Sequence, residues 1–381
     1  MKVLVVVGTR PEAIKMAPVI RELRARPGRF STLVCATAQH RSLLDSAIQL
    51  FGIGVDFDLD IMRHDQSLCQ AAAGMLRGLD TVLAEACPDA VLVHGDTATS
   101  VSAALAAFYH QIPAGHVEAG LRTADRQRPF PEEMNRRLAD RLCAWHYAPT
   151  ERARQNLLEA RFPEEHILVT GNTVIDALLD IAARPYTFTD PLLDSLGRER
   201  RLLLVTAHRR ESFGAPLREL CAALRAIARD HPDVEIVYPV HPNPNVRETV
   251  EAALKGIPRI HCIAPLPYLP FVHLMKRATL ILTDSGGIQE EAPALGKPVL
   301  VLRDETERPE AIEAGTARLV GARRDRIVAE TRGLLEDPAA RARIARTPNP
   351  FGDGRASARI VDHLESRLGA AAPAVAGGLP G

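Results

Sequence analysis

Residues 279–303 read TLILTDSGGIQEEAPALGKPVLVLR. An apolar run, TLILTD (279–284), meets Ser285-Gly286-Gly287. A polar stretch follows, and Gly296 and Pro298 lead into a second apolar run, PVLVLR (298–303). Short continuous apolar runs suit strands buried on both faces, joined here by a helix. Ser285 stands where a helix is capped, and the unpaired N–H groups at the two glycines suit an anion. Pro293 should kink the helix and Gly296 can end it. Glu290 and Glu291 then stand within a turn of a site suited to negative charge. Early helix acids are an equally good local reading of that pair.

The same grammar runs along the chain. KVLVVV (2–7), STLVCAT (31–37), AVLVHG (90–95) and IPAGHVE (112–118) form one series. RLLLVT (201–206), VEIVYPV (234–240), IHCIAP (260–265), TLILTD and PVLVLR form another. Helical patterns such as LLDSAIQLF and LRELCAALRAIA lie between them. The expected fold is α/β: two doubly wound, Rossmann-like domains facing a central cleft. The series restarts near residue 200, after the proline-containing stretch 181–200. The expected domains are 1–170 and 171–354, with 369–381 a disordered small-residue tail.

Composition narrows the function. Acidic and basic side chains balance at 47 each, which argues against nucleic acid or a charged membrane surface as partner. No run approaches the roughly 20 apolar residues of a membrane span. The opening run is too short for a signal peptide and is broken by Gly-Thr-Arg-Pro. Six cysteines without a CxxC pair are expected to be reduced, mostly buried thiols of a cytoplasmic protein.

Ligands of doubly wound sheets bind beyond the carboxyl ends of the strands. The polar residues there are Gly8-Thr9-Arg10, Gly95-Asp96-Thr97, Glu118, His208 to Glu211, His241 and Asp284 to Gly287. Arg10 and Lys15 beside Gly8 are surface charges or, better, phosphate or sugar contacts. Pro18 should kink their helix. Asp96, Glu118 and the Glu132-Glu133 pair, with His208, supply what acid–base chemistry needs. Glu132-Glu133 read equally as plain helix-start residues, and His241 as a structural histidine. Neither glycine loop is a Walker loop or a GxGxxG fingerprint.

GTRPEAIKMAP, TAQHR, VHGDT, GHVEAGLR, PEEMNR, GNTVIDAL, TAHRRESFG, VYPVHPNPNVRE, the long segment 283–310, EAGT and NPFGDGRAS occur in one order from residue 1 to about 365. This ordered set resembles the bacterial, non-hydrolysing UDP-N-acetylglucosamine 2-epimerases. The resemblance implies a glycosyltransferase-B-like fold whose last helix, about 355–368, returns to the first domain. It implies reversible epimerisation at C2 of UDP-N-acetylglucosamine to UDP-N-acetylmannosamine through 2-acetamidoglucal, with no redox or metal cofactor. A homodimer supplying cell-surface polysaccharide synthesis is implied as well. By motif, Asp96, Glu118, Glu132 and His208 resemble the catalytic residues. Arg10, Lys15, Ser285, Gly286, Gly287 and Arg308 resemble UDP-sugar contacts, Glu291 the acid on the ribose hydroxyls, and Phe271 the residue beside uracil. Gln39, Gln66, Arg209 and His241 resemble a regulatory UDP-sugar site, although Ser42 and Asp65 depart from its pattern. The alternatives are a UDP-sugar-dependent glycosyltransferase of this fold and a hydrolysing 2-epimerase.

Overall fold

The structure is a computed structural model that describes residues 1–37, 41–62, 66–209 and 212–370. The chain divides into two compact units. One comprises Met1–Ala177 and the segment from Gly354 onward, and the other Leu178–Asp353.

The first unit holds a seven-stranded sheet: β1 (Lys2–Val7), β2 (Ser31–Ala36), β3 (Phe57–Asp58), β4 (Ala90–His94), β5 (Ala114–Val117), β6 (Trp145–Ala148) and β7 (Ile167–Val169). Its order is β3-β2-β1-β4-β5-β6-β7, and the pairings are parallel. Val5 is in register with Val34 on one side and Leu92 on the other. Val3 through Val7 are buried, as a central strand covered on both faces requires.

The second unit repeats the plan with β8 (Arg201–Thr206), β9 (Val234–Pro239), β10 (Ile260–Ile263), β11 (Leu280–Thr283), β12 (Val299–Val301) and β13 (Ala317–Leu319). Its order is β10-β9-β8-β11-β12-β13, again parallel. Leu203, Val205, Ile236, Tyr238, Leu280 and Leu282 form its core with the helix Ala215–Asp230. In both sheets the strand order reverses beside the first strand of the unit. The switch points therefore lie between β1 and β4, and between β8 and β11.

The final helix, Ala356–Ala370, belongs to the first unit. Asp176 accepts from the backbone N–H groups of Ala356 (3.2 Å) and Ser357 (2.8 Å), fixing the helix start. Arg26 pairs with Asp362 (2.7 Å) and Glu365 (3.1 Å) further along. Gly369 is helical, so the expected tail is shorter than 369–381; residues 371–381 lie outside the described residues.

Three expectations change. The cysteines are free, but only Cys35, Cys143 and Cys221 are buried; Cys69, Cys87 and Cys262 are exposed. Cys69 lies in a helix's first turn, Cys87 at a left-handed cap (φ 44°) and Cys262 on the edge strand β10, where burial is not enforced. Ser285 sits at the cap position of the helix Gly286–Ala294 but makes no capping bond through its side chain. Its own N–H donates to Thr283 Oγ1 (2.9 Å) instead. Glu290 is not a solvated helix-start charge, as described below. Among the described residues no helix is long and apolar enough to cross a membrane.

Candidate active site

In the first unit the switch point is built by one buried carboxylate that sequence reasoning missed. Glu12 is 2% exposed. Its Oε2 accepts from the N–H groups of Gly8 (2.9 Å) and Thr9 (2.7 Å). Its Oε1 accepts from Thr97 Oγ1 (2.6 Å) and Ser100 Oγ (3.3 Å). Thr9 caps the helix Arg10–Arg24 and completes a capping box with Glu12. Thr-x-x-Glu was the available signal. Glu12 thus fastens the loop after β1 to the loop after β4. Burial raises its carboxyl above the ordinary value, against the pull of these donors. Gly8 is obligatory: a Cβ there would overlap the buried hydroxyls of Thr99 and Thr37, which bond each other at 2.9 Å. Pro18 lies inside the helix.

The candidate residues gather around these loops. Glu118 follows β5 in a left-handed conformation (φ 66°) and is nearly buried. Its Oε1 accepts from Lys15 Nζ (2.5 Å) and Asn172 Nδ2 (2.8 Å). Its Oε2 lies 3.4 Å from His94 Nε2. Lys15, one of the expected UDP-sugar contacts, is a counter-ion of Glu118. His94 is buried, with neither ring nitrogen hydrogen-bonded among the described residues, and burial lowers its pKa to about 3, against the pull of Glu118. Asp96 pairs with Arg136, and its carbonyl accepts from Asn135 Nδ2 (3.0 Å). Both partners come from the helix Glu132–Leu142. Glu132 opens that helix, half-buried. Its neighbour Glu133 is fully buried and accepts from Thr123 N (3.0 Å) and Arg137 Nε (2.7 Å). Arg10 is exposed at the start of its own helix. Beneath the Asp96 loop, His116 bridges Asp140 (2.6 Å) and the Gly95 carbonyl (2.7 Å). Burial works to raise the Asp140 carboxyl, but His116 and Arg122 (2.6 Å) outweigh it and hold it low.

In the second unit the switch point carries the glycine loop. Gly286 opens its helix between two guanidinium groups: a Cβ there would lie 3.7 Å from Arg209 and 3.7 Å from Arg308. Helix N–H groups and two arginines form a cradle for a dianion. Glu290, buried, holds Arg308 in that position. Glu307 holds Arg209 (3.1 Å). Glu291 folds back toward the first turn, with Oε1 3.6 Å from where a Gly287 Cβ would be, and Oε2 accepts from Tyr268 Oη (3.1 Å). Phe271 is half-buried on the same helix as Tyr268. His208 is 42% exposed and stacks on His241 at 5.8 Å. Burial lowers its pKa, opposed by Asp284. Gln66 is half-buried in the first unit, and Gln39 and Asp65 lie outside the described residues. No cluster of three or more His, Cys, Asp or Glu able to hold a metal occurs among the described residues.

The second unit thus carries a donor cradle at its switch point, and the first a group of carboxylates at its own. The family model described as UDP-N-acetylglucosamine 2-epimerase matches residues 21–365. The UDP-N-acetylglucosamine 2-epimerase of Yersinia pestis is 55% identical over 372 residues, covering 96% of this chain and 99% of the relative. That of Escherichia coli strain K12 is 53% identical over 380 residues, with the same coverage. The crystal structure of UDP-GlcNAc 2-epimerase from Neisseria meningitidis bound to UDP-GlcNAc is 47% identical, with a TM-score of 0.84 over 96% of this chain and 100% of that one. The chain belongs to the UDP-N-acetylglucosamine 2-epimerase family of isomerases.

Proposed function

We propose that this chain interconverts UDP-N-acetylglucosamine and UDP-N-acetylmannosamine by eliminating UDP and adding it back. The C2 proton is too weakly acidic to be removed alone. In the first step the C1–oxygen bond breaks and UDP departs with the electron pair. A carboxylate takes the C2 proton, leaving the C1–C2 double bond of 2-acetamidoglucal. In the second step a proton returns to the opposite face of C2 while the UDP oxygen bonds C1 again. Asp96, Glu118 and Glu132 trade these protons, and His208 acts near the phosphates. Arg10, Lys15, Ser285, Gly286, Gly287 and Arg308 contact the UDP-sugar, Glu291 accepts from the ribose hydroxyls, and Phe271 lies beside the uracil.

The observation that carries this reading is Gly286 between Arg209 and Arg308 at a helix start. Such fixed donors stabilise charge that develops on a departing diphosphate. Incubation with UDP-N-acetylglucosamine alone should yield a mixture of two UDP-sugars. Free N-acetylmannosamine would indicate the hydrolysing reaction, and no change without an acceptor a glycosyltransferase.

We also propose that a second UDP-N-acetylglucosamine activates the enzyme through Gln39, Gln66, Arg209 and His241. A UDP-N-acetylmannosamine rate unchanged by trace UDP-N-acetylglucosamine would count against it. The enzyme is proposed to be a cytoplasmic homodimer supplying polysaccharide synthesis. Exposed Phe108 (59%) and Tyr109 (70%) suit an interface, and light scattering at the dimer mass tests it.

A further inference from the structure

Asp284 follows β11 directly, immediately before the glycine loop, and is fully buried. Its Oδ2 accepts from His208 N (2.7 Å), Arg209 N (2.8 Å) and Ser212 Oγ (3.1 Å). Three donors occupy Oδ2, so any further bond to this carboxyl group falls to its second oxygen. The other oxygen, Oδ1, is buried without a hydrogen bond among the described residues and stands 3.4 Å from His208 Nδ1. One residue earlier, Tyr238 Oη donates to the Ala207 carbonyl (2.9 Å), so the backbone on both sides of His208 is anchored. A buried, unsatisfied acceptor aimed at a ring nitrogen is costly unless that nitrogen supplies the proton.

We propose that Asp284 is the positioning residue of His208: Oδ1 takes the Nδ1–H, which turns Nε2 into the nitrogen that exchanges protons at the nucleotide end of the substrate. The second ring nitrogen of a histidine is set by what the first one bonds. The same carboxylate ties the His208 loop to the start of the phosphate-facing helix, so acid–base group and anion cradle share one anchor. Arg209 and His241 also face His208, and both oppose its protonation, whereas Asp284 favours it. The role of His208 rests on the proposed epimerisation.

Asp284→Asn separates positioning from loop anchoring. An asparagine Oδ1 can accept the same three donors, while its amide nitrogen would face Nδ1 and force the opposite tautomer. The variant should fold and bind UDP within about 3-fold of wild type, with kcat lower by about 10²–10⁴-fold. In a His208→Ala background, Asp284→Asn should change kcat less than about 3-fold, because the two act as a unit. ¹⁵N shifts of His208 should show protonated Nδ1 in the wild type and protonated Nε2 in Asp284→Asn. The same tautomer in both proteins, or an equal loss in the His208→Ala background, would overturn the assignment. The ¹⁵N readout needs no turnover. A wild-type enzyme without epimerase activity would therefore refute the proposed reaction and leave this test standing.

Discussion

Glu12 gives the sharpest test of how the first unit holds its loops. Glu12→Ala strips the N–H groups of Gly8 and Thr9 of their acceptor in a buried setting. Each unsatisfied donor costs about 1–3 kcal/mol. The hydroxyls of Thr97 and Ser100 lose less, because they bond each other at 3.0 Å and Ser100 also donates to the His94 carbonyl (2.5 Å). The sum is about 3–5 kcal/mol, a large part of the 5–15 kcal/mol typical of a folded domain. Glu12→Gln keeps a carbonyl for the two N–H groups and turns an amide toward two hydroxyls that can accept. It should stay within about 1 kcal/mol of wild type. The charge adds a pH signature. Burial raises the Glu12 carboxyl, so the folded state binds its proton more tightly than the unfolded state. The resulting stability is fully present below the unfolded value and is lost as pH rises through the folded one. Glu12→Gln should therefore gain on wild type as pH rises. Trp145, the single tryptophan, lies on β6 of the first unit, so its fluorescence during urea unfolding reads this directly. A Glu12→Ala protein within 1 kcal/mol of wild type, or a Glu12→Gln protein as unstable as Glu12→Ala, would refute the reasoning.

Gly8→Ala should unfold the first unit by overpacking, at a cost of at least 1–3 kcal/mol, whereas Gly286→Ala should fold normally and weaken UDP binding about 10-fold or more, both read by urea titration and calorimetry. Asp96→Asn and Glu118→Gln should each lose about 10²–10⁴-fold in kcat while binding UDP; near-normal rates in both would remove the carboxylates from the mechanism. Lys15→Met leaves Glu118 without its 2.5 Å partner, so the acidic limb of the rate profile should move to higher pH. Unfolded His94 takes a proton that the folded state refuses until about pH 3. Stability is thus lost as pH falls below the unfolded value, by up to about 1.4 kcal/mol per pH unit, and His94→Gln should lower the acid-unfolding midpoint.

The strands that frame both switch points were legible because each is a continuous apolar run. β3 has only two residues, and β13 reads Ala-Arg-Leu, with a charge inside it, so neither leaves such a signal. β6 reads Trp-His-Tyr-Ala, which hides it. The polar residues after the strands were legible for the same reason: they interrupt apolar runs. Their partners were not. Nothing local says that Lys15 meets Glu118, 103 residues away, or that Glu290 holds Arg308. Adjacent Glu290 and Glu291 differ because helix geometry turns one into the core and the other toward Tyr268. Glu132 and Glu133 divide in the same way. Ser285 looked like a cap on residue type alone, and its hydroxyl makes no capping bond.

The central claim is that the C2 proton leaves and returns during turnover. The most direct measurement is proton NMR of UDP-N-acetylglucosamine incubated with the enzyme alone in D₂O. Deuterium should enter at C2 as UDP-N-acetylmannosamine accumulates, with no free sugar formed at the same rate. Epimerisation with C2 hydrogen fully retained, or no exchange at all, would contradict the account.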